Sequence, residues 1–206
     1  MIPKKLHFVW IGDESKRPDD CINSWREMNP QYEVIIWGND TLNTYDWINS
    51  KHIKEMSKKE LCGVADLMRY EILYREGGIT LDADSICLSS LEDWLLKPNA
   101  FASWEQEIDR PGLIAVCAMG SIPNNPFFAE CINALKSKDS VINNNAWITT
   151  GPVHLTNIFH QTQYDLTIYP SHFFSKDHHN GRSYQGNGFC FAKQLWGSTK
   201  GYEKIR

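Results

Sequence analysis

Two aspartates, Asp82 and Asp84, stand one residue apart in "GGITLDADSICL", an otherwise apolar run. Side chains alternate along an extended strand, so residues i and i+2 point the same way. If this run leaves a sheet extended, both carboxylates face one side and Ala83 is turned from them. Two carboxylates at that spacing repel unless they are solvated, protonated or bridged by a cation. Hard carboxylate oxygens suit magnesium or manganese, ions that also bind phosphate oxygens. In parallel α/β sheets, ligands gather at the carboxyl ends of strands. A metal–phosphate site is the chemistry such a pair could do. The spacing alone leaves a solvated surface turn open as well.

A second pair lies just upstream. Asp66 and Arg69, in "GVADLMRYEIL", are three residues apart, neighbouring positions on one helix face. On a surface such an ion pair contributes little. Here the surrounding residues are apolar, which predicts that both side chains look into a cleft.

These residues need elements to position them. Residues 57 to 76 read as one long helix, with Ser57 and Glu60 forming a capping box and Gly77 and Gly78 stopping it. Leu61, Val64, Met68 and Ile72 recur at helical spacing. "KLHFVWIG", a short helix capped by Asp20 and ending before Pro30, and "YEVIIWGND" give strand, helix and strand within about forty residues, a βαβ unit in a parallel sheet. "ITL", "AFASWE", "LIAVCAMG" and "LTIYP" read as further strands. "NPFFAECINALKS" and the run after "TTGP" read as helices. From Ser171 to Arg206 a loop surrounds one short strand, "GFCFAK". No linker or repeat interrupts the chain, so 1–206 reads as a single domain.

Composition narrows the function. The chain is 42% hydrophobic and 22% charged, which excludes a disordered or fibrous chain. Its net charge of −4 gives no electrostatic footprint for nucleic acid. Eight tryptophans suit flat polar ligands such as bases and sugars. No C-x-x-C pair occurs among the six cysteines, so they read as buried free thiols. No signal segment or membrane span is visible, and the chain reads as cytoplasmic, with peripheral contact at the inner face of a membrane left open.

The blocks "IPKKLHFVWIG", "ADLMRYEILYREGGITLDAD", "TGP" and "LWGS", in that order, resemble glycosyltransferase family 32, with the toxin glucosyltransferase domains as more distant relatives. The resemblance implies a GT-A fold: an α/β domain whose mostly parallel twisted sheet is flanked by helices. It implies a retaining hexosyltransferase using a nucleotide sugar, usually UDP-linked, with manganese or magnesium. The acceptor would be a glycan or lipid-linked glycan of a surface polysaccharide such as capsule or lipopolysaccharide. It would be read by loops within 101–112 and 171–188.

Residue by residue, the resemblance implies that Val9 and Trp10 flank the donor base. Asp66 and Arg69 would hold donor-sugar hydroxyls and the pyrophosphate. Asp82 would bind ribose or sugar hydroxyls, with or without the metal, and Asp84 would ligate the metal directly. Thr150 and Gly151 would line the sugar pocket. Trp196 and Ser198 would close over the diphosphate, Ser198 reaching the metal. Three positions depart from the pattern. Ala65 stands where serine usually precedes Asp66, Gln194 where histidine is frequent, and Thr199 where an aromatic is usual. Histidine is the better metal ligand, so Gln194 implies altered metal affinity or choice. His178 or His179 could compensate. A nucleotidyltransferase lacks support, because no glycine-rich, lysine-bearing phosphate loop is present. A catalytically weak nucleotide-sugar- or carbohydrate-binding protein of the same fold is the other reading.

Overall fold

The computed structural model describes residues 1–200, the side chains of Ser198 and Thr199 excepted. The chain opens with strand β1 (Lys5–Val9), helix α1 (Asp19–Met28) and strand β2 (Glu33–Trp37). β2 runs parallel to β1, from Lys5 beside Glu33 to Val9 beside Trp37, so the expected βαβ unit is present. α1 starts two residues earlier than expected. Pro18 takes the cap position, and Asp19 and Asp20 both lie in the first turn, where carboxylates favour the helix dipole.

Next come the short helices α2 (Asn39–Thr44) and α3 (Ser50–Met56), then α4 (Leu61–Glu76). The single helix expected over 57–76 is therefore two elements. Ser57 closes α3, and its hydroxyl bonds back to the Ile53 carbonyl at 2.7 Å, so it cannot cap α4. Glu60 does sit at the N-cap of α4, but its carboxylate accepts from the Ala146 amide at 2.9 Å instead of completing a box. Every residue of α4 from Asp66 to Leu73 is buried, more than the one stripe expected. A helix covered on all sides lies inside the fold, and this one packs against α3, α5 and the sheet.

Gly77 and Gly78, with φ of 64° and 89°, end α4 and turn the chain into β3 (Gly78–Leu81). The Gly78 conformation favours glycine, and a Cβ there would lie 2.8 Å from the Lys5 carbonyl oxygen. β4 (Ser85–Cys87), β5 (Ala100–Gln106), β6 (Arg110–Ser121), α5 (Pro126–Lys136), α6 (Ala146–Thr149), α7 (Pro152–Thr162), β7 (Thr167–Tyr169), β8 (Ala192–Gln194) and α8 (Gly197–Lys200) complete the series. The main sheet has the order β2-β1-β3-β6-β5-β7. β1 is parallel to β2 and β3, and β5 to β7; β6 runs antiparallel between β3 and β5.

One buried layer, including Met68, Ile72, Phe128 and Leu155, packs the central helices on one face of the sheet. The other, including Leu6, Phe8, Trp25, Phe101 and Phe174, covers the opposite face. In the tail, β8 pairs antiparallel with β4, fastening that segment beside the Asp82–Asp84 turn. Among the described residues, no helix is long and apolar enough to cross a membrane.

His7 links three of these pieces. Its Nε2 donates to the Gly77 carbonyl at 2.9 Å, and its Nδ1 accepts from the Trp37 indole at 3.1 Å. Only the neutral ring satisfies both bonds. Burial pushes its pKa from 6.5 down to about 4, against a smaller upward pull from the Gly77 bond. Unfolding frees the ring to protonate, so its contribution to stability is present above pH 6.5 and is lost as pH falls towards 4. A His7→Gln variant has no such loss. The stability gap between parent and variant is expected to narrow by about 3 kcal/mol between pH 7 and pH 4. Denaturant titration of both proteins at the two pH values measures it; an unchanged gap would contradict the neutral, doubly bonded ring.

Candidate active site

β3 ends at Leu81, and the chain turns sharply through Asp82, Ala83 and Asp84 into β4. The Asp82 carbonyl accepts from both the amide and the hydroxyl of Ser85, at 3.1 and 2.6 Å. The pair is thus on a tight turn, not on the extended run expected from strand alternation. The serine hydroxyl after the second aspartate closes that turn. The two carboxylates still feel each other. Burial first, and then the charge of Asp82, raise the Asp84 pKa to about 6.

Arg69 reaches the turn from α4. Its Nη2 donates to Asp82 Oδ1 at 2.5 Å, and its Nη1 donates to the Val116 carbonyl on β6 at 3.2 Å. The same Nη1 lies 3.8 Å from Asp66 Oδ1. Burial opposes the guanidinium charge, and Asp82 and Asp66 outweigh it, so Arg69 is held protonated. Asp66 is buried, and desolvation pushes its pKa up to about 7 against the pull of Arg69 and of Thr150. The Thr150 hydroxyl donates to Asp66 Oδ2 at 3.1 Å. Gly151 caps α7 beside it, where a Cβ would come within 3.1 Å of the same oxygen. The structure therefore brings together Asp66, Arg69, Asp82, Asp84, Thr150 and Gly151.

The remaining sequence candidates sit around this group. Phe8 pairs with Leu81, so Val9 and Trp10 leave β1 at the same sheet edge as Asp82. Val9 is buried, while Trp10 is half-buried and its indole donates to the Asp13 carbonyl at 3.0 Å. In the tail, the Gly197 amide donates to Asp84 Oδ2 at 2.6 Å, and the Leu195 amide to the Asp84 carbonyl at 3.1 Å. Trp196, between them, has φ 60°. Its indole donates to the Asp177 carbonyl at 2.8 Å. Ser198 belongs to α8, and its side chain lies outside the described residues. Gln194 is buried, opposite Ser85, and donates to the Phe174 carbonyl at 3.2 Å.

Sequence reasoning missed a further set. The Glu105 carboxylate pairs with Arg110, whose guanidinium lies 5.1 Å from the centre of the Trp147 ring. Arg110 Nη2 is 3.4 Å from His179 Nε2. The rings of His178 and His179 stand 5.2 and 5.3 Å from Trp196. The contacts run from Asp84 through the Gly197 amide and the adjoining Trp196 to His179, Arg110 and Trp147. A glutamate within the apolar "AFASWE" strand was the one signal available in the sequence.

The donor set suits a hard divalent cation. Asp82 and Asp84 offer carboxylate oxygens, and the burial and mutual repulsion that together raise Asp84 are what a cation offsets. Among the described residues no group of three or more His, Cys, Asp or Glu side chains could hold a metal ion, so a substrate would complete the coordination.

Residues 15–102 match the family described as glycosyltransferase sugar-binding region containing DXD motif. The match covers under half of the chain and includes the Asp66, Arg69, Asp82 and Asp84 segment. Relatives of the chain include Subversion of eukaryotic traffic protein A of Legionella pneumophila, 29% identical over 133 residues, 51% of this chain and 21% of that protein. Mannosyl phosphorylinositol ceramide synthase SUR1 of Saccharomyces cerevisiae is 26% identical over 180 residues, 78% of this chain and 42% of that protein. Inositol phosphoceramide mannosyltransferase 3 of Schizosaccharomyces pombe is 28% identical over 142 residues, 65% of this chain and 37% of that protein. The chain thus spans less than half the length of these curated relatives. Among solved structures, the PaToxG glycosyltransferase superposes with a TM-score of 0.64 at 17% identity, over 78% of this chain and 70% of that one. The UDP-bound glycosyltransferase domain from the YGT toxin gives 0.59 at 10% identity, over 81% and 79%. These likenesses establish the GT-A fold.

Within the site, Arg69 is the cation that offsets two buried or half-buried carboxylates. Arg69→Met is expected to lower the unfolding free energy by about 3–5 kcal/mol, since removing one side of a buried ion pair strands the other. Denaturant unfolding measures this; a loss below about 1 kcal/mol, the size for an exposed pair, would contradict the buried network.

Proposed function

We propose that this chain is a metal-dependent retaining glycosyltransferase that moves a hexose from a nucleotide sugar, UDP-linked, to a glycan or lipid-linked glycan acceptor. The observation that carries the reading is the linked set Asp66, Arg69, Asp82 and Asp84, one buried cation among three carboxyl groups, at the carboxyl end of the sheet. The family match supports the reaction class. The UDP-bound YGT domain supports the nucleotide, and the mannosyltransferase relatives support a hexose. Their names include inositol phosphoceramide acceptors, which supports a lipid-linked glycan at a membrane face over a capsule or lipopolysaccharide chain.

Each residue has a chemical task in this reading. Asp84 and Asp82 would hold manganese or magnesium, which supplies positive charge to a diphosphate leaving group. Arg69 adds a fixed cation on the same side. Asp66, with a pKa near 7, can donate as well as accept hydrogen bonds, which suits sugar hydroxyls. Thr150 orients that carboxyl, and Gly151 leaves the space beside it open. Trp10 offers a ring edge for the base, and Trp196, with Ser198, covers the diphosphate. The acceptor hydroxyl oxygen bonds to the anomeric carbon as the bond from that carbon to the diphosphate oxygen breaks. The hydroxyl proton passes to the freed diphosphate oxygen, so attack and departure share one face and configuration is retained.

UDP-hexose hydrolysis with manganese, followed by UDP release across a panel of hexoses, tests the reading. Asp84→Asn is expected to lower turnover by about 100-fold or more, the scale for losing a charge-stabilising group. It should also melt no lower than the parent in metal-free buffer. The amide oxygen still accepts from Gly197, and the buried charge that raises the Asp84 pKa is gone. Full turnover in the variant would sink the assigned role. No turnover of any nucleotide hexose with any divalent ion would sink the reading itself.

A further inference from the structure

The segments 106–108 and 170–185 meet around a cavity of about 370 Å³. That lies at the small end of ordinary ligand pockets, about 300–1,000 Å³, and fits the end of a glycan better than a long chain. Two of its lining side chains are polar, buried and unpartnered. His178 is 4% exposed, and neither ring nitrogen has a hydrogen-bond partner. Ser175 is 8% exposed, and its hydroxyl has none either. Buried polar groups are nearly always bonded, so orphans of this kind call for ligand atoms.

The rest of the wall describes the ligand. His172 and Tyr184 stack face to face, 3.8 Å apart and within 8° of parallel, so each ring holds the other in place and an outer face of the stack remains. Aromatic faces of this kind receive the apolar side of a sugar. Of the charged side chains in the wall, Lys176 brings a cation, while Arg182 and Glu107 are engaged. Arg182 pairs with both oxygens of Asp109, and Glu107 accepts from the amide and hydroxyl of Ser171. Two orphaned hydrogen-bonding side chains stand beside an aromatic wall, and Lys176 is the one lining cation with no ion pair among the described residues. That set favours a polyhydroxylated ring, and the inorganic phosphate tested below separates it from a free anion.

Position supplies the role. The His178 ring is 5.2 Å from Trp196, and the next residue, Gly197, holds Asp84. The cavity is one aromatic side chain away from the carboxylate turn. We propose that this cavity binds the acceptor's terminal ring, a pyranose or cyclitol, with His178 and Ser175 taking its hydroxyls. The word acceptor rests on the transferase reading above; ring binding does not.

Saturation-transfer NMR on the whole chain tests it, using methyl α-glucoside, methyl α-mannoside, methyl α-galactoside and myo-inositol with UDP and manganese present. At least one free ring, or inositol headgroups on phosphatidylcholine vesicles containing phosphatidylinositol, is expected to bind. Binding should fall about tenfold or more in Ser175→Leu, which fills the cavity, and in Tyr184→Ala, which removes its wall. Tyr184 is half-buried at the edge, so that variant decides if the first fails to fold. Free-ring binding identifies a soluble glycan end, and binding only on vesicles identifies a lipid headgroup; both uphold the site. Binding of no ring in either form overturns it, as does binding that survives Tyr184→Ala, or inorganic phosphate occupying the cavity in preference to every ring. A parent without UDP-hexose hydrolysis sinks the transferase reading, while the ring titration still decides the cavity.

Discussion

One buried guanidinium organises this fold. Arg69 is carried by the central helix, yet its bonds go to the Asp82 turn and to the Val116 carbonyl on β6, with Asp66 one turn earlier on its own helix. A charge out of water is tolerated only with close partners. Helix, turn and strand can therefore assemble in few other ways. The burial of α4 on all sides, the glycine turn behind it and the register of β3 against β1 all serve that assembly. The charge count is nevertheless uneven. Three carboxyl groups, Asp66, Asp82 and Asp84, share one guanidinium, and burial first, then the neighbouring carboxylate of Asp82, raise the pKa values of Asp66 and Asp84. A site left short of positive charge by its own fold is complementary to a cation and a substrate that arrive together.

The tail is coupled to that imbalance. β8 lies on β4 directly after the turn, and the Gly197 amide reaches an oxygen of Asp84. A backbone N–H on a carboxylate favours its charged form, so closure of the tail works against the burial that raises Asp84. Trp196 adopts a left-handed conformation between two such amides, a strained state that persists only where its surroundings fix it. Its indole bond to Asp177 and the two imidazoles around it are those surroundings. The same side chain faces the carboxylates through Gly197 and the neighbouring cavity through His178.

Much of this was legible from local pattern. Strand, helix and strand at the start, the glycine pair after a long helix, and Asp66 and Arg69 at i and i+3 are short-range features, and each holds. The Ser57 cap failed because a serine hydroxyl has two local uses, and the preceding turn of helix took it. The extended D-x-D failed because Ser85 supplies both an amide and a hydroxyl to close a turn, a competition that alternation ignores. The Glu105–Arg110–Trp147–His179 contacts were invisible for another reason. They join a hairpin, a short helix and the tail, and no sequence spacing encodes that meeting. Both loop segments expected to read an acceptor, within 101–112 and 171–188, do meet, although nothing in their composition indicated a shared cavity.

Gln194 illustrates how position changes the meaning of a substitution. Read as a ligand replaced, glutamine for histidine suggests a weakened metal site. In the fold, the side chain is turned into the buried layer of Phe174 and Phe191, where its amide donates to the Phe174 carbonyl. It stabilises the attachment of β8. What the tail offers Asp84 is a backbone amide, which has no metal preference and cannot be lost by a change of side chain. With its amide on the Phe174 carbonyl, Gln194 serves the attachment of the tail, and the substitution leaves that attachment intact.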